Sequence, residues 1–494
     1  MRSRGSSLFL RWGSLLFVLL AAVLTVLQVV QYSLSRANYP PDMTIGEVPV
    51  GGLDPQAASQ RLLEVYSTPI EIQYGSAVID LDPALVSFQL NLDSMLAEAD
   101  LQRTGASFWS GFWDYLWSHR APARQIPLVA TYSEDRLRVF LQNEISTRYD
   151  QPPTPAQPIP GTANYTPGSP GQALDIERSV ILIEAALRSP SQRTVIITSQ
   201  STASGRPSLG TVQVQLKQII DQSGFDGLTD VYFRDLQTSE VMNFAYQAGQ
   251  DISVSPTDIA FSGASTIKIP ILVSVFRYFN SHIDEITDTK IKNMLNNSAN
   301  YSDGADGLMA EMDPVRGPLV VYETMKILGL KNTFISMYFA KDSFPLDHIM
   351  TEANSRLDIN TDPDPEIQTT PSDMGMLLED LYICSQTGGG SLIAAFPGQI
   401  DQAACQQMVL YLQGVKLGNL IEAGLPEGTT IANKYGWDNA INNISDAAII
   451  YTPGGDYILT IYVYSPTGYI WNVASPMIAE ISRAVYNYFN LPAQ

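Results

Sequence analysis

Residues 261–276 read FSGASTIKIPILVSVF. Ser265 and Lys268 stand three apart at the head of an apolar run, and on a helix two such positions share a face and touch. A lysine held against a serine and partly desolvated is neutral long enough to take the hydroxyl proton. Gly263 and Ser265 at the start, followed by the apolar run, predict a buried helix beginning here. Pro270 falls in its early turns, where a missing N–H is tolerated. This is the only S-x-x-K in the chain, yet about one such match is expected by chance in a chain of this composition. Its weight depends on what stands around it.

Two segments follow in order: IKNMLNNSANYSDG, from Ile291 to Gly304, and IANKYGWDNAINNISDAAIIYTP, from Ile431 to Pro453. Between them lies QTTPSDMGMLLEDLY, Gln368–Tyr382, which resembles the Thr-Thr-Pro helix start of the family that the motifs below point to. Upstream, VQVQLKQIIDQSG reads as a helix, and DVYFRDL and VMNFAYQ read as strands joined by the polar turn QTSE. The chain closes with DAAIIYTP, a Gly-Gly-Asp turn, YILTIYVY and the amphipathic helix ASPMIAEISRAVYNYFN. The expected pattern is terminal helices packed on one antiparallel sheet, with a helical insertion between its strands.

The three motifs resemble, in order and context, the S-x-x-K, S-D-N and K-T-G signature of class A β-lactamases and penicillin-binding proteins, over about residues 210–494. The second motif is Ser298-Ala299-Asn300 and the third Lys434-Tyr435-Gly436. The resemblance implies a serine hydrolase acting on β-lactams or on the D-alanyl peptides that they mimic. Ser265 is then acylated and Lys268 helps to deprotonate it. Ser298 relays a proton to the leaving nitrogen, and Asn300 binds the substrate amide or positions Lys268. Lys434 holds a carboxylate or supports Ser298, with Tyr435, Gly436 and Trp437 lining the substrate. The backbone N–H groups of Ser265 and Trp437 form the oxyanion hole.

Departures from the signature matter. Ala299 occupies the middle of the second motif, and a rival register, Tyr301 to Gly304, makes Ser302 the serine but loses the asparagine. Tyr435 replaces a hydroxyl residue that grips the substrate carboxylate, which bears on penicillin affinity. The interval between the first two motifs is short, so a trimmed helical subdomain is expected. Glu352 in TEANSRLD is the candidate base for deacylation, although the segment is not a clean E-x-x-L-N; the competing reading is a loop carboxylate facing solvent. Without a base to activate water the acyl-enzyme persists.

The 494 residues exceed one ordinary domain, and 45% hydrophobic content is that of a globular protein. A net charge of −21 argues against nucleic acid as partner, since phosphates need a basic surface. His119, His282 and His348 are too scattered for a metal site or a Ser-His-Asp triad, and no metal or cofactor is expected.

Residues 12–30, WGSLLFVLLAAVLTVLQVV, carry no charge and follow Arg2, Arg4 and Arg11. They predict a single membrane-spanning helix with a cytoplasmic N-terminus and everything after Arg36 exported. A cleaved signal peptide is the alternative, against which stand the length of the run and the lack of an A-x-A site. In an oxidising compartment Cys384 and Cys405 either pair or remain two buried thiols.

The fold class expected is α+β and multidomain: the cytoplasmic tip and anchor over 1–36, an α+β domain over 40–200, and the hydrolase domain over 208–494. The first lysine is Lys217, so basic character also changes between the halves. Asp150–Gln172, rich in Pro, Gly and Thr, reads as a linker or long loop, and Ser199–Ser208 as the boundary. The segment from IGEVPVGGLDPQAASQRLLEVY onward, with a Val-x-Val-Gly-Gly turn before a helix, a hairpin and a Pro-led stretch, resembles the peptidoglycan-binding domain found beside transpeptidase and vancomycin-resistance W-like modules. That resemblance implies cell wall as a partner; the alternative is a rigid spacer above the membrane. A catalytically degenerate cell-wall-binding scaffold is the non-enzymatic alternative for the whole chain.

Overall fold

The computed structural model describes residues 5–119 and 125–491. Arg2 and Arg4, on which the orientation expectation partly rests, lie outside them. The chain divides into two compact units, one running to Thr154 and adding Pro170–Ala203, the other comprising Pro155–Ser169 and the chain from Ser204 onward.

In the first unit, helix α1 (Gly5–Ser35) contains the apolar stretch Trp12–Ser35, 24 residues of mean hydropathy 2.5 with none of it buried. At about 1.5 Å per residue it is long enough to cross a hydrocarbon layer of about 30 Å. Helix α2 (Pro55–Tyr66) starts where Asp54 accepts from the Ala57 amide and Pro55 sets the first turn. Strands β1 (Ile70–Tyr74) and β2 (Ala77–Leu81) form a hairpin with every second residue of β1 buried. Helices α3 (Leu92–Thr104), α4 (Phe108–Leu116) and α5 (Ile176–Arg188) follow, and β3 (Thr194–Ile196) lies parallel to β1. Two small cores result: Ala58, Leu62 and Tyr66 meet Met95 and Ala99, while Ile70 and Ile72 meet Val180, Ile183 and Leu187.

The second unit is built on a six-stranded antiparallel sheet. Its elements are α6 (Leu209–Ser223), β4 (Leu228–Asp235), β5 (Val241–Gln247), β6 (Gln250–Ile252), α7 (Lys268–Tyr278), α8 (Glu285–Asn296), α9 (Ala305–Met312), α10 (Gly317–Ile327), α11 (Pro371–Thr387), α12 (Gln402–Gln413), β7 (Thr430–Trp437), β8 (Asn443–Tyr451), β9 (Tyr457–Tyr464) and α13 (Trp471–Phe489). Strand order is β6-β5-β4-β9-β8-β7. Side-chain alternation explains why β4 is buried almost throughout. Tyr232 faces Gly375 of α11, and its neighbour Phe233 faces Tyr488 and Phe489 of α13. Helices therefore cover both faces. Thr370 caps α11 by accepting from the Asp373 amide, with Pro371 in the first turn. A disulfide between Cys384 and Cys405, with Cα atoms 5.9 Å apart, joins α11 to α12.

Three expectations are corrected. Asp150–Gln172 is not a bare linker: Gln157–Pro158 pairs with Tyr165–Thr166, and Pro155–Ser169 belongs to the second unit. Buried Tyr165 donates to the Ala484 carbonyl at 3.1 Å, and Asn487 donates to the Ala163 carbonyl at 2.8 Å. The composition signals turns; it says nothing of the burial of Ala156, Ala163 and Tyr165 that anchors the hairpin. The α-helix expected from Ser265 begins instead at Lys268, after a 3₁₀ turn over Ala264–Ile267. The last helix also starts earlier than expected, at Trp471, which leaves Pro476 inside its early turns.

Candidate active site

The 3₁₀ turn Ala264–Ile267 leaves the short strand Phe261–Ser262 and enters α7. Side chains three apart eclipse in a 3₁₀ turn, so the tighter geometry brings Ser265 and Lys268 together. The turn is tied down from behind, where Thr266 Oγ1 donates to the Gly263 carbonyl at 2.6 Å and stands 2.8 Å from the Tyr462 hydroxyl of β9. Ala264 has φ of 42° and Ser298 φ of 54°, both in the left-handed region that non-glycine residues enter at a cost of about 1–3 kcal/mol each. Two strained residues thus converge on one place.

Lys268 Nζ donates to Ser265 Oγ at 3.1 Å, to Ser298 Oγ at 3.0 Å and to the Ser298 carbonyl at 2.8 Å. Ser298 Oγ donates to Ser265 Oγ at 3.0 Å. Two hydroxyls and one amine therefore form a closed triangle. Lys268 is wholly buried. Burial, then the nearby Lys434 charge, lower its pKa to about 7 against the pull of Asp306. The group is poised to accept a proton near neutrality.

Gly436, on the edge strand β7, faces the Ala264–Ile267 turn. A Cβ there would stand 2.7 Å from the Ser265 amide nitrogen and 3.1 Å from Ala264 Cβ, so only glycine allows this approach. Lys434 is buried and donates to the Tyr435 carbonyl at 3.1 Å. Burial lowers its pKa to about 8, while Asp446 pulls the other way. Asp446, opposite Tyr435 on β8, accepts from Asn433 Nδ2 at 3.0 Å and from the Ile421 amide at 3.2 Å; its burial pushes its pKa up to about 7. Tyr435 and Trp437 stack with ring centroids 5.6 Å apart and planes 7° apart, and Trp471 meets Trp437 edge-on at 5.0 Å. Trp437 is 39% exposed, so this aromatic row reaches the surface.

The other expected residues are placed unequally. Asn300 Oδ1 is buried and has no hydrogen-bond partner among the described residues, which leaves it an acceptor available to a ligand. Ser302 is exposed, whereas Ser298 carries the hydroxyl in the triangle. Glu352 is exposed and makes no hydrogen bond to Ser265, Lys268, Ser298 or Lys434 among the described residues. Its neighbour Asn354 instead folds the loop on itself, donating to the Ile349 carbonyl and to Gln368 Oε1 at 3.0 Å each. Over Lys268 lies Phe339, its ring centre 5.8 Å from Nζ. That segment is held by Asp306, whose carboxylate accepts from the Phe339 and Ala340 amides at 2.8 and 2.9 Å. Neither Asp306 nor Phe339 belongs to a motif; Asp306 has the weak signal of an acid in the first turn of α9. No group of three or more His, Cys, Asp or Glu is placed to hold a metal among the described residues.

Residues 312–489 match the family model of the β-lactamase enzyme family, and the C-terminal region has a β-lactamase-like fold. The matched stretch contains Lys434–Trp437 and begins after Ser265, Lys268 and Ser298. Among solved structures, PBP-A is 20% identical with a TM-score of 0.40, covering 58% of this chain and 98% of its own. A β-lactamase from Sphaerobacter thermophilus DSM 20745 is 14% identical (TM-score 0.41; 58% and 100%). A class A β-lactamase from Mycobacterium abscessus is 18% identical (TM-score 0.41; 56% and 99%). No curated protein sequence matches the chain.

Proposed function

We propose that the second unit is a serine acyltransfer enzyme of the β-lactamase and D,D-peptidase type, acylated on Ser265 by β-lactams or D-alanyl peptides. The observation that carries this reading is the triangle of Ser265 Oγ, Lys268 Nζ and Ser298 Oγ around a desolvated lysine. Neutral Lys268 takes the Ser265 proton as Oγ bonds to the amide carbonyl carbon. The carbonyl oxygen becomes an oxyanion, received by the Ser265 and Trp437 amide N–H groups. The proton then returns through Ser298 to the leaving nitrogen as the C–N bond breaks, which leaves an ester on Ser265 and a neutral lysine. Asn300 receives the substrate amide and Lys434 its carboxylate. For release, Phe339 over Lys268 and the exposed Glu352 favour an acyl-enzyme that turns over slowly.

In the same reading α1 anchors the chain with its N-terminus cytoplasmic and both units outside the cytoplasm, and the first unit contacts peptidoglycan. A fluorescent penicillin that labels the full chain but not Ser265→Ala supports the enzyme. No labelling together with retained pelleting on purified cell-wall sacculi supports a binding scaffold instead. Rapid hydrolysis of a chromogenic cephalosporin in the same sample would replace the slow acyl-enzyme with a lactamase.

A further inference from the structure

Helix α4 departs from the pattern of a surface helix. Trp109, Trp113 and Trp117, spaced four apart on α4 and its C-cap, form one stripe and are 64%, 58% and 70% exposed. Half of the chain's six tryptophans thus face outward from one short segment. The opposite side of α4 is fixed to the end of the apolar helix α1. Tyr32 of α1 lies 5.3 Å from the Phe108 ring, 5.7 Å from Phe112 and 5.4 Å from Tyr115. Gly111 leaves room for the Tyr32 hydroxyl, where a Cβ would come within 2.2 Å. Arg36, next after α1, donates to the Ala106 carbonyl at 2.7 Å, and Arg103 donates back to the Arg36 and Ala37 carbonyls at 3.1 and 3.0 Å. The tryptophan stripe is therefore held beside the last turn of α1.

We infer that α4 is an interfacial helix whose tryptophan face lies among lipid headgroups at the outer end of α1. The inference rests on the anchoring role given to α1. Indole suits that layer because its apolar body and its N–H need an apolar and a wet side at once. The same rings left in water would expose an apolar patch with no solvation benefit. Continuity chooses lipid as the occupant: α4 packs on the helix that enters the bilayer, at the point where that helix leaves it. Trp12, 71% exposed, sits at the other end of the apolar span and completes the second aromatic belt.

The test uses the full chain in phosphatidylcholine–phosphatidylglycerol vesicles with bromines near the headgroup end of the acyl chains. Trp109→Phe/Trp113→Phe/Trp117→Phe keeps an aromatic ring at each position, so the emission lost relative to wild type belongs to the stripe. Trp12→Phe isolates Trp12 in the same way. The stripe's emission should fall by about twofold or more with brominated lipid and stay shielded from aqueous iodide, as an interfacial position requires. Bromine quenching of Trp12 without quenching of the stripe would overturn the interfacial helix and leave the anchor standing. Quenching of neither would remove the anchor and the inference with it. A stripe shielded from both quenchers would show that a protein surface or a second copy covers it, which also overturns the inference.

Discussion

Gly436 and Ser265 approach so closely that a Cβ on Gly436 would stand 2.7 Å from the Ser265 amide nitrogen. Strand β7 and the turn that carries Ser265 thus keep this close approach only while position 436 has no side chain. Gly436→Ala must push the turn or the strand by a few tenths of an ångström or more. Because misplacement of reacting groups costs as much as a hundredfold, labelling of Ser265 by a fluorescent penicillin should slow by about ten- to hundredfold. Thermal unfolding should change far less, since the strand remains paired along β8. An unaltered labelling rate would mean that the turn does not depend on this contact.

If Ser265 is acylated as proposed, the two buried lysines should set the pH dependence of that step. Lys268 must be neutral to take the Ser265 proton, so the rate rises as pH passes its pKa of about 7. Lys434 must be charged to hold a carboxylate, so the rate falls as pH passes about 8. Second-order labelling rates should therefore trace a narrow bell. Lys434→Gln should remove the descending limb and lower the rate throughout. A profile that is flat between about pH 6 and about pH 9 would disconnect both lysines from the acylation step.

Lys268 also costs stability in a pH-dependent way. It titrates at about 7 in the folded protein against 10.5 as the ordinary lysine value. Below pH 7 both folded and unfolded chains hold the proton, and the folded state bears the full cost of a buried cation. Between pH 7 and 10.5 the folded state sheds the proton that the unfolded chain keeps, so stability is regained as pH rises. Lys268→Met removes the cation and should raise Tm, with a larger gain at about pH 6 than at about pH 9. An equal gain at both would show that packing, and not charge, is responsible.

Much of this site was legible because its chemistry is local. Ser265 and Lys268 are one turn apart, and Lys434 and Gly436 are alternate residues of one strand, so spacing alone places each pair on a common face. Asp306 and Phe339 were not legible. Their roles arise from a loop segment folded back on α9, and sequence distance hides such a contact. The same holds for Asp446, whose link to Asn433 follows from the register of β7 on β8. In the first unit, the tryptophan spacing of α4 is visible in the chain, but its attachment to Tyr32 and Arg36 is a tertiary fact. Glu352 shows the converse: its position in the order of motifs is suggestive, but it is exposed and makes no hydrogen bond to Ser265, Lys268, Ser298 or Lys434 among the described residues.

Glu352 gives a prediction in which nothing changes. It is exposed and makes no hydrogen bond to Ser265, Lys268, Ser298 or Lys434 among the described residues. Glu352→Gln should leave both the acylation rate and the lifetime of the labelled enzyme within about twofold of wild type, as expected for a surface substitution. Release of the label slowed by about a hundredfold would make Glu352 the water-activating base, the effect that loss of a general base brings.

Asp306 and Phe339 both bear on the surroundings of Lys268, the first by its charge and the second as a ring over Nζ. The carboxylate pulls the Lys268 pKa up by its charge, while the segment that it holds pushes that pKa down by excluding water; of the two, desolvation is the larger. Two substitutions separate these effects. Asp306→Asn removes the charge but keeps an amide oxygen to hold one of the two backbone N–H groups. The ascending limb of the acylation profile should then move to lower pH. Asp306→Ala releases Phe339 and Ala340 and readmits water to Lys268, so the limb should move upward, toward the ordinary lysine value. The alanine variant should also lose about 1–3 kcal/mol of stability for each N–H left unpaired. Shifts of the same sign in both variants would mean that Asp306 acts on Lys268 by charge alone, and that Phe339 does not keep water from it.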